Sequence, residues 1–176
     1  MSHQVKLCTQ PFTDLRILKE AIQDLEEQGI TINESGFYDY SGYKLTPGTK
    51  WGSTNSTIVC GINLPTGRTG QRENTPMGIV DKGNGTYEIV GDSYGLRYKN
   101  SYGLTQAIAE ISQRYTLREQ QETVIKEMEA KFPGSQWTVT EFPTGILTDK
   151  KQKLKLVIEE VGVGDSGSGM SVGGLA

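Results

Sequence analysis

Apolar positions recur along this chain with two different periods, and the two periods divide it into helices and strands. Leu15, Leu18, Ile22 and Leu25 return every three or four residues, with Arg16, Lys19, Glu20, Gln23, Glu26 and Glu27 between them. That spacing predicts an amphipathic helix with one apolar stripe. Pro11-Phe12-Thr13-Asp14 supplies a stop and an N-cap before it, and Gly29 a C-cap after it. Between Gly103 and Phe132, Leu104, Ile108, Ile111 and Tyr115, then Val124 or Ile125, Met128 and Phe132, keep helical spacing again. A break or an exposed bend is expected in its polar stretch Thr116 to Thr123, and Phe132-Pro133-Gly134 ends the helix.

The period of two marks the strands. Residues 4 to 10 and Ile30 to Ser35 read as short ones, and Ser56 to Leu64 as a firmer one with Ile58, Cys60, Ile62 and Leu64 on one face. Met77 to Asp81 and Thr86 to Val90 flank Lys82-Gly83-Asn84-Gly85. The Asn-Gly step there predicts a hairpin, because both residues tolerate positive φ. Gln136 to Phe142 and Lys153 to Val161 predict a second hairpin. Gly36 to Gly48 mixes aromatics with turn residues and predicts no definite element, while Pro65 to Pro76 lacks a large apolar side chain and reads as a solvated loop.

The order strand, helix, strand, strand, hairpin, long helix, hairpin predicts one α+β domain over residues 1–161. Its sheet is mostly antiparallel, with the two amphipathic helices packed on one face and the other face partly wet. A wet face suits the hydrophobic share of only 35%. Glycine, at 22 of 176 residues, is well above the usual ~7%. Six of these glycines, from Gly162 to Gly174, fall in residues 162–176. That segment reads as a flexible, disordered Gly/Ser-rich tail, since it has too little apolar surface to offset its ordering entropy.

Charge and cysteine usage narrow the chemistry. A net charge of −3 gives no field to hold the chain on phosphate backbones, so nucleic acid is not an expected partner. No apolar run approaches the ~20 residues that cross a bilayer, and the N-terminus has no basic segment followed by an apolar stretch. Membrane insertion is not expected, and the location is read as cytoplasmic or organelle-stromal. Cys8 and Cys60 sit among apolar neighbours as core thiols. With His3 the only histidine and no Cys-x-x-Cys pair, no metal site and no cofactor is predicted.

Several strings look catalytic and fail on context. Gly164-Asp-Ser-Gly167 resembles the surroundings of a nucleophilic serine, and Gly169-Met-Ser-Val-Gly173 matches G-x-S-x-G. An elbow needs a strand before it and a helix after it, and a triad needs a histidine base. No catalytic residue is predicted, and the chain is read as a non-enzyme. Two clusters remain as binding candidates. Tyr94, Arg97, Tyr98, Lys99 and Tyr102 interleave rings and cations, which suits a protein interface. Arg114 and Arg118, four apart, share a helix face beside it. Arg68 and Arg72, in the loop after Pro65, are candidates for binding an anion.

The opening Met1-Ser2-His3, the segment Thr86-Tyr-Glu-Ile-Val-Gly-Asp-Ser-Tyr-Gly-Leu96, the run Ile111-Ser-Gln-Arg-Tyr-Thr116 before a Glu-rich helix, and the closing lysine-rich strand occur in that order over residues 1–161. In that order they resemble the hypothetical chloroplast frame thirty-five family of plastids, cyanobacteria and other bacteria. The chain departs from the family pattern at Gln4, where phenylalanine is usual, and at Ser93-Tyr94, where paired tryptophans are usual. Stretches 36–52 and 65–76 and the tail look like additions. The resemblance implies an accessory role near small ferredoxin-like proteins or AAA-type ATPases, and no catalytic residues. The expectation is therefore an accessory or adaptor protein that binds a protein partner through Tyr94, Arg97, Tyr98, Tyr102, Arg114 and Arg118. The alternative is a small-ligand or nucleotide-binding sensor that uses Arg68 and Arg72.

Overall fold

The computed structural model describes residues 4–52, 54–65, 75–93, 104–141, 154–161 and 169–175. It has the expected α+β class. The chain divides into two compact units, Met1–Tyr115 and Thr116–Ala176.

The first unit is built on a five-stranded antiparallel sheet of order β1-β7-β6-β5-β2. Its strands are β1 (Gln4–Lys6), β2 (Thr31–Asn33), β5 (Thr57–Asn63), β6 (Met77–Asp81) and β7 (Tyr87–Asp92). A two-stranded hairpin, β3 (Phe37–Tyr38) and β4 (Lys44–Leu45), follows β2. Helix α1 spans Leu15–Gln23, with Asp14 at its N-cap accepting from the Ile17 N–H at 3.2 Å. The chain then tightens into a 3-10 turn at Glu26–Gln28 that ends on Gly29 at φ 86°, as the C-cap reading requires. The β6–β7 turn also matches its prediction. Lys82 N–H donates to the Thr86 carbonyl at 3.0 Å, Asn84 Oδ1 accepts from the Thr86 N–H at 3.1 Å, and Gly83 and Gly85 take positive φ.

One face of the sheet carries α1 and the first turns of α2 (Leu104–Lys131). Ile17, Leu18, Ala21 and Ile22 of α1, and Ala107, Ile108, Ile111 and Tyr115 of α2, close over Cys60, Ile62, Met77, Ile79 and Ile89. The other face, expected to be partly wet, is covered instead. Phe37, Leu45 and Trp51 bury Ile58, Val80 and Val90 in a second apolar cluster, and each aromatic so buried stabilises by about 1.5–3 kcal/mol. The sheet is thus the middle of three layers. Ile58 differs from its prediction for a local reason. The β5–β6 ladder shifts register between Ile58 and Cys60, and one extra residue in a strand reverses the facing of all that follow. Ile58 therefore joins the hairpin cluster, while Cys60 and Ile62 join the helix cluster.

The second unit holds the rest of α2, which is helical throughout Thr116–Thr123, where a break was expected. Leu117 to Glu122 are residues of high helix propensity, so the polarity of the stretch does not interrupt the helix. Val124 and Met128 pack with Trp137, whose ring lies 5.7 Å from that of Phe132. Strands β8 (Trp137–Glu141), β9 (Leu154–Glu160) and β10 (Gly169–Leu175) form an antiparallel sheet of order β10-β9-β8. Of the expected tail, residues 162–168 and 176 lie outside the described residues, and β10 pairs with β9. Met170 pairs in register with Ile158 and Val172 with Leu156, so the ladder along β9 supplies the backbone hydrogen bonds that a glycine-rich segment cannot offset with burial alone.

Candidate functional site

The hairpin layer owes its place to two glycines. Gly61 and Gly78 are cross-strand partners in β5 and β6. A Cβ on Gly78 would stand 2.6 Å from Phe37 Cε1 and 2.2 Å from the Cys60 carbonyl oxygen, and one on Gly61 would stand 2.4 Å from the Gly36 carbonyl oxygen. The side chains that would keep a covering segment away from the sheet are missing at these two positions, and Gly36-Phe37 lies directly on the backbone. Phe37 then meets Trp51 edge to face, with ring centroids 5.4 Å apart.

Strand alternation does the rest. Phe37 pairs with Leu45 and Tyr38 with Lys44; Phe37 and Leu45 point into the core, so Tyr38 and Lys44 point out. Lys44 Nζ lies 5.7 Å from the Tyr38 ring centroid, a cation–π distance. The tip is closed by the Asp39 N–H donating to the Tyr43 carbonyl at 3.0 Å and the Tyr43 N–H donating to Asp39 Oδ1 at 2.9 Å. It is tied to the sheet by Asp92 at the end of β7. That carboxylate is fully buried, and its Oδ2 accepts the Tyr40 N–H at 2.8 Å. On this fixed turn Tyr38, Tyr40 and Tyr43 are 38%, 55% and 69% exposed. Beside the hairpin, Glu88 of β7 forms ion pairs with Lys6 at 3.1 Å and with Lys82 at 3.8 Å, and Lys82 Nζ donates to the buried Ser56 hydroxyl at 3.1 Å.

No protein-family model, no curated protein and no solved structure matches this chain.

Of the residues singled out in the sequence, Tyr94, Arg97, Tyr98 and Tyr102, and the loop arginines Arg68 and Arg72, lie outside the described residues. Arg114 and Arg118 lie within them, and Arg114 is not on the exposed face expected for it. It is only 7% exposed, as is Glu110 one helical turn earlier, whereas Arg118 is half-buried. Burial raises the Glu110 carboxyl above its ordinary range, opposed by the Gln106 amide and by the Arg114 charge. Arg114 thus shares a buried helix face with a carboxylate, and the i, i+4 spacing with Arg118 does not carry both to the surface.

The cysteines are core thiols, both free and buried. Burial pushes the Cys60 thiol up to about 11, so it stays protonated at neutral pH and is a poor nucleophile. Ser171 of the G-x-S-x-G string lies within strand β10 and not at a strand-to-helix elbow. Among the described residues no group of three or more His, Cys, Asp or Glu side chains is placed to hold a metal ion, and no helix is long and apolar enough to cross a membrane.

The tyrosine hairpin was missed in the sequence, although a trace of it is there. Phe37-Tyr38 and Lys44-Leu45 are two apolar/polar steps of opposite order about Asp39 and Gly42, which is the pattern of a short half-buried hairpin. Two-residue strands give that pattern little weight on its own, and the Gly61–Gly78 slot that seats it is a long-range feature.

Proposed function

We propose that this chain is a non-catalytic accessory or adaptor module that binds a protein partner through the β3–β4 hairpin. One observation carries the reading: three tyrosines exposed within six residues, on a turn held by a buried carboxylate. Tyrosine supplies large contact area with few rotatable bonds, and a turn ordered before binding spares the cost of ordering it afterwards. Lys44 over Tyr38 adds a cation at the rim of the patch. The accessory role implied by the resemblance to the hypothetical chloroplast frame thirty-five family belongs to this proposal, as does a complex containing a ferredoxin-like protein or an AAA-type ATPase. The Tyr94, Arg97, Tyr98 and Tyr102 cluster and Arg118 are kept as candidate contacts in their own right, separate from the hairpin.

The test is affinity capture from cells of the source organism, comparing the full chain with a Tyr40→Ala/Tyr43→Ala variant whose melting temperature matches it. Loss of a specific partner from the variant supports the hairpin, since an exposed tyrosine that acts as an anchor contributes about 2 kcal/mol or more. Identical partner lists would remove it from the account.

A further inference from the structure

A second surface in the first unit has a different chemistry. Strand β2 is an edge of the five-stranded sheet, paired with β5 on one side only, and among the described residues no strand pairs with its outer side. Natural edges of this kind are usually blunted by lysine, proline or a bulge. Thr31-Ile32-Asn33 has none of these. A groove of about 730 Å³ runs along it, with Gln23, Glu26, Thr31, Asn33, Glu34 and Asn63 among its lining side chains. That volume is typical of clefts that hold ligands.

We infer that this groove accepts an extended, cationic peptide segment of a partner protein, which adds as a further strand alongside β2. Two observations select this occupant. Thr31 and Asn33 turn their backbone groups toward β5, so the open edge presents the N–H and C=O of Ile32, a pair that an extended main chain can bond. The lining carries two carboxylates and no cation. Lys19 donates to both carboxylate oxygens of Glu34 at 3.2 Å, but it projects from α1 and leaves Glu26 to face solvent. The amides of Gln23 and Asn63 can bond to a peptide backbone in either direction. Main-chain pairing supplies the affinity, and the carboxylates select lysine or arginine in the incoming strand over acidic side chains.

The experiment uses the full chain and a fluorescein-labelled peptide, Lys-Thr-Val-Lys-Val-Thr-Lys. It is compared with the same peptide carrying glutamate at the three lysine positions, and with a form of the cationic peptide N-methylated at alternate residues. Binding is read by fluorescence anisotropy, and its location by amide chemical shifts. The cationic peptide is expected to saturate below about 1 mM, to shift the amides of Ile30 to Glu34, and to weaken as salt is raised. The acidic and N-methylated peptides are each expected to bind at least about tenfold more weakly. The Glu26→Lys/Glu34→Lys variant, altered only at exposed positions, is expected to melt within a few degrees of the parent and to lose about tenfold for the cationic peptide. No saturation below that concentration, equal binding of the acidic or N-methylated peptide, full binding by the double variant, or shifts that leave Ile30 to Glu34 unmoved would each overturn the assignment. None of these results depends on the tyrosine hairpin, so failure here and failure of the hairpin reading are separable.

Discussion

The Tyr115 hydroxyl accepts from the backbone N–H of Thr13 at 3.0 Å. The next N–H, that of Asp14, reaches the same oxygen at 3.1 Å, and the Phe12 ring packs edge to face on the Tyr115 ring at 4.8 Å. A residue 102 and 101 positions away thus satisfies two backbone donors at the entry to α1, while Asp14 caps the helix itself. Tyr115→Phe keeps the ring contact and removes the acceptor. Losing a part-buried hydrogen bond costs about 0.5–1.5 kcal/mol, and a loss of a few degrees in melting temperature is expected. A calorimetric scan that finds no change would show the bond to be unimportant.

Gly61 and Gly78 are required by close approach, not by unusual backbone angles. Gly78→Ala puts a methyl group against Phe37 and the Cys60 carbonyl. Overpacking of this kind costs about 1–3 kcal/mol, and it should act on the hairpin layer first. Denaturant titration is expected to report the loss, accompanied by a change in the fluorescence of Trp51, which packs on Phe37. Alanine at an open turn glycine such as Gly83 meets no neighbour, so it should leave the Trp51 signal unchanged.

Asp92 holds the hairpin tip from beneath. Removing a charged acceptor from a backbone N–H costs about 1.5–3 kcal/mol, so Asp92→Ala should destabilise the first unit. Its distinguishing effect is local: amide exchange at Tyr40 and its neighbours should accelerate more than exchange in β6. Uniform acceleration over both segments would mean that Asp92 supports the sheet and not the turn.

Glu110 gives the fold a pH dependence whose sign follows from burial. Its carboxyl is raised above its ordinary value of 4.5, so above that value the folded chain holds a proton that the unfolded chain has released. Stability from this group is present below the ordinary value and is lost as pH rises through the raised one. Glu110→Gln cannot titrate, and it should flatten that part of the profile measured by urea unfolding between about pH 4 and 7. Parallel profiles for the two proteins would contradict the assignment.

Burial also governs the two thiols. Neither Cys8 nor Cys60 should react with a thiol reagent in the native chain at pH 8, and both should react on unfolding. Cys60 is the firmer case, because its pKa of about 11 leaves almost no thiolate at that pH. Prompt native labelling of Cys60 would mean that the helix-covered core opens readily.

Features that depend on neighbours in sequence were legible in it. Asp14 as a cap, Gly29 as a helix end, and the Asn84-Gly85 hairpin with its strand Met77–Asp81 all follow from local backbone chemistry. What was not legible depends on contacts between distant residues. Nothing near Phe37 announces the glycine slot formed by residues 61 and 78. The register shift after Ile58 reverses a facing that strict alternation assigns, and Arg114 is buried although its spacing suits a surface. The candidate site was the least legible part, since the side chains that form it matter only once the hairpin has been laid on the sheet.

The central claim is that the tyrosine turn is a contact surface. Hydrogen exchange on the full chain, alone and with the partner recovered by capture, tests it most directly. The account predicts slowed exchange over residues 38–43 in the complex, with β6 unchanged. Protection confined to other segments, with residues 38–43 exchanging as in the free chain, would contradict it.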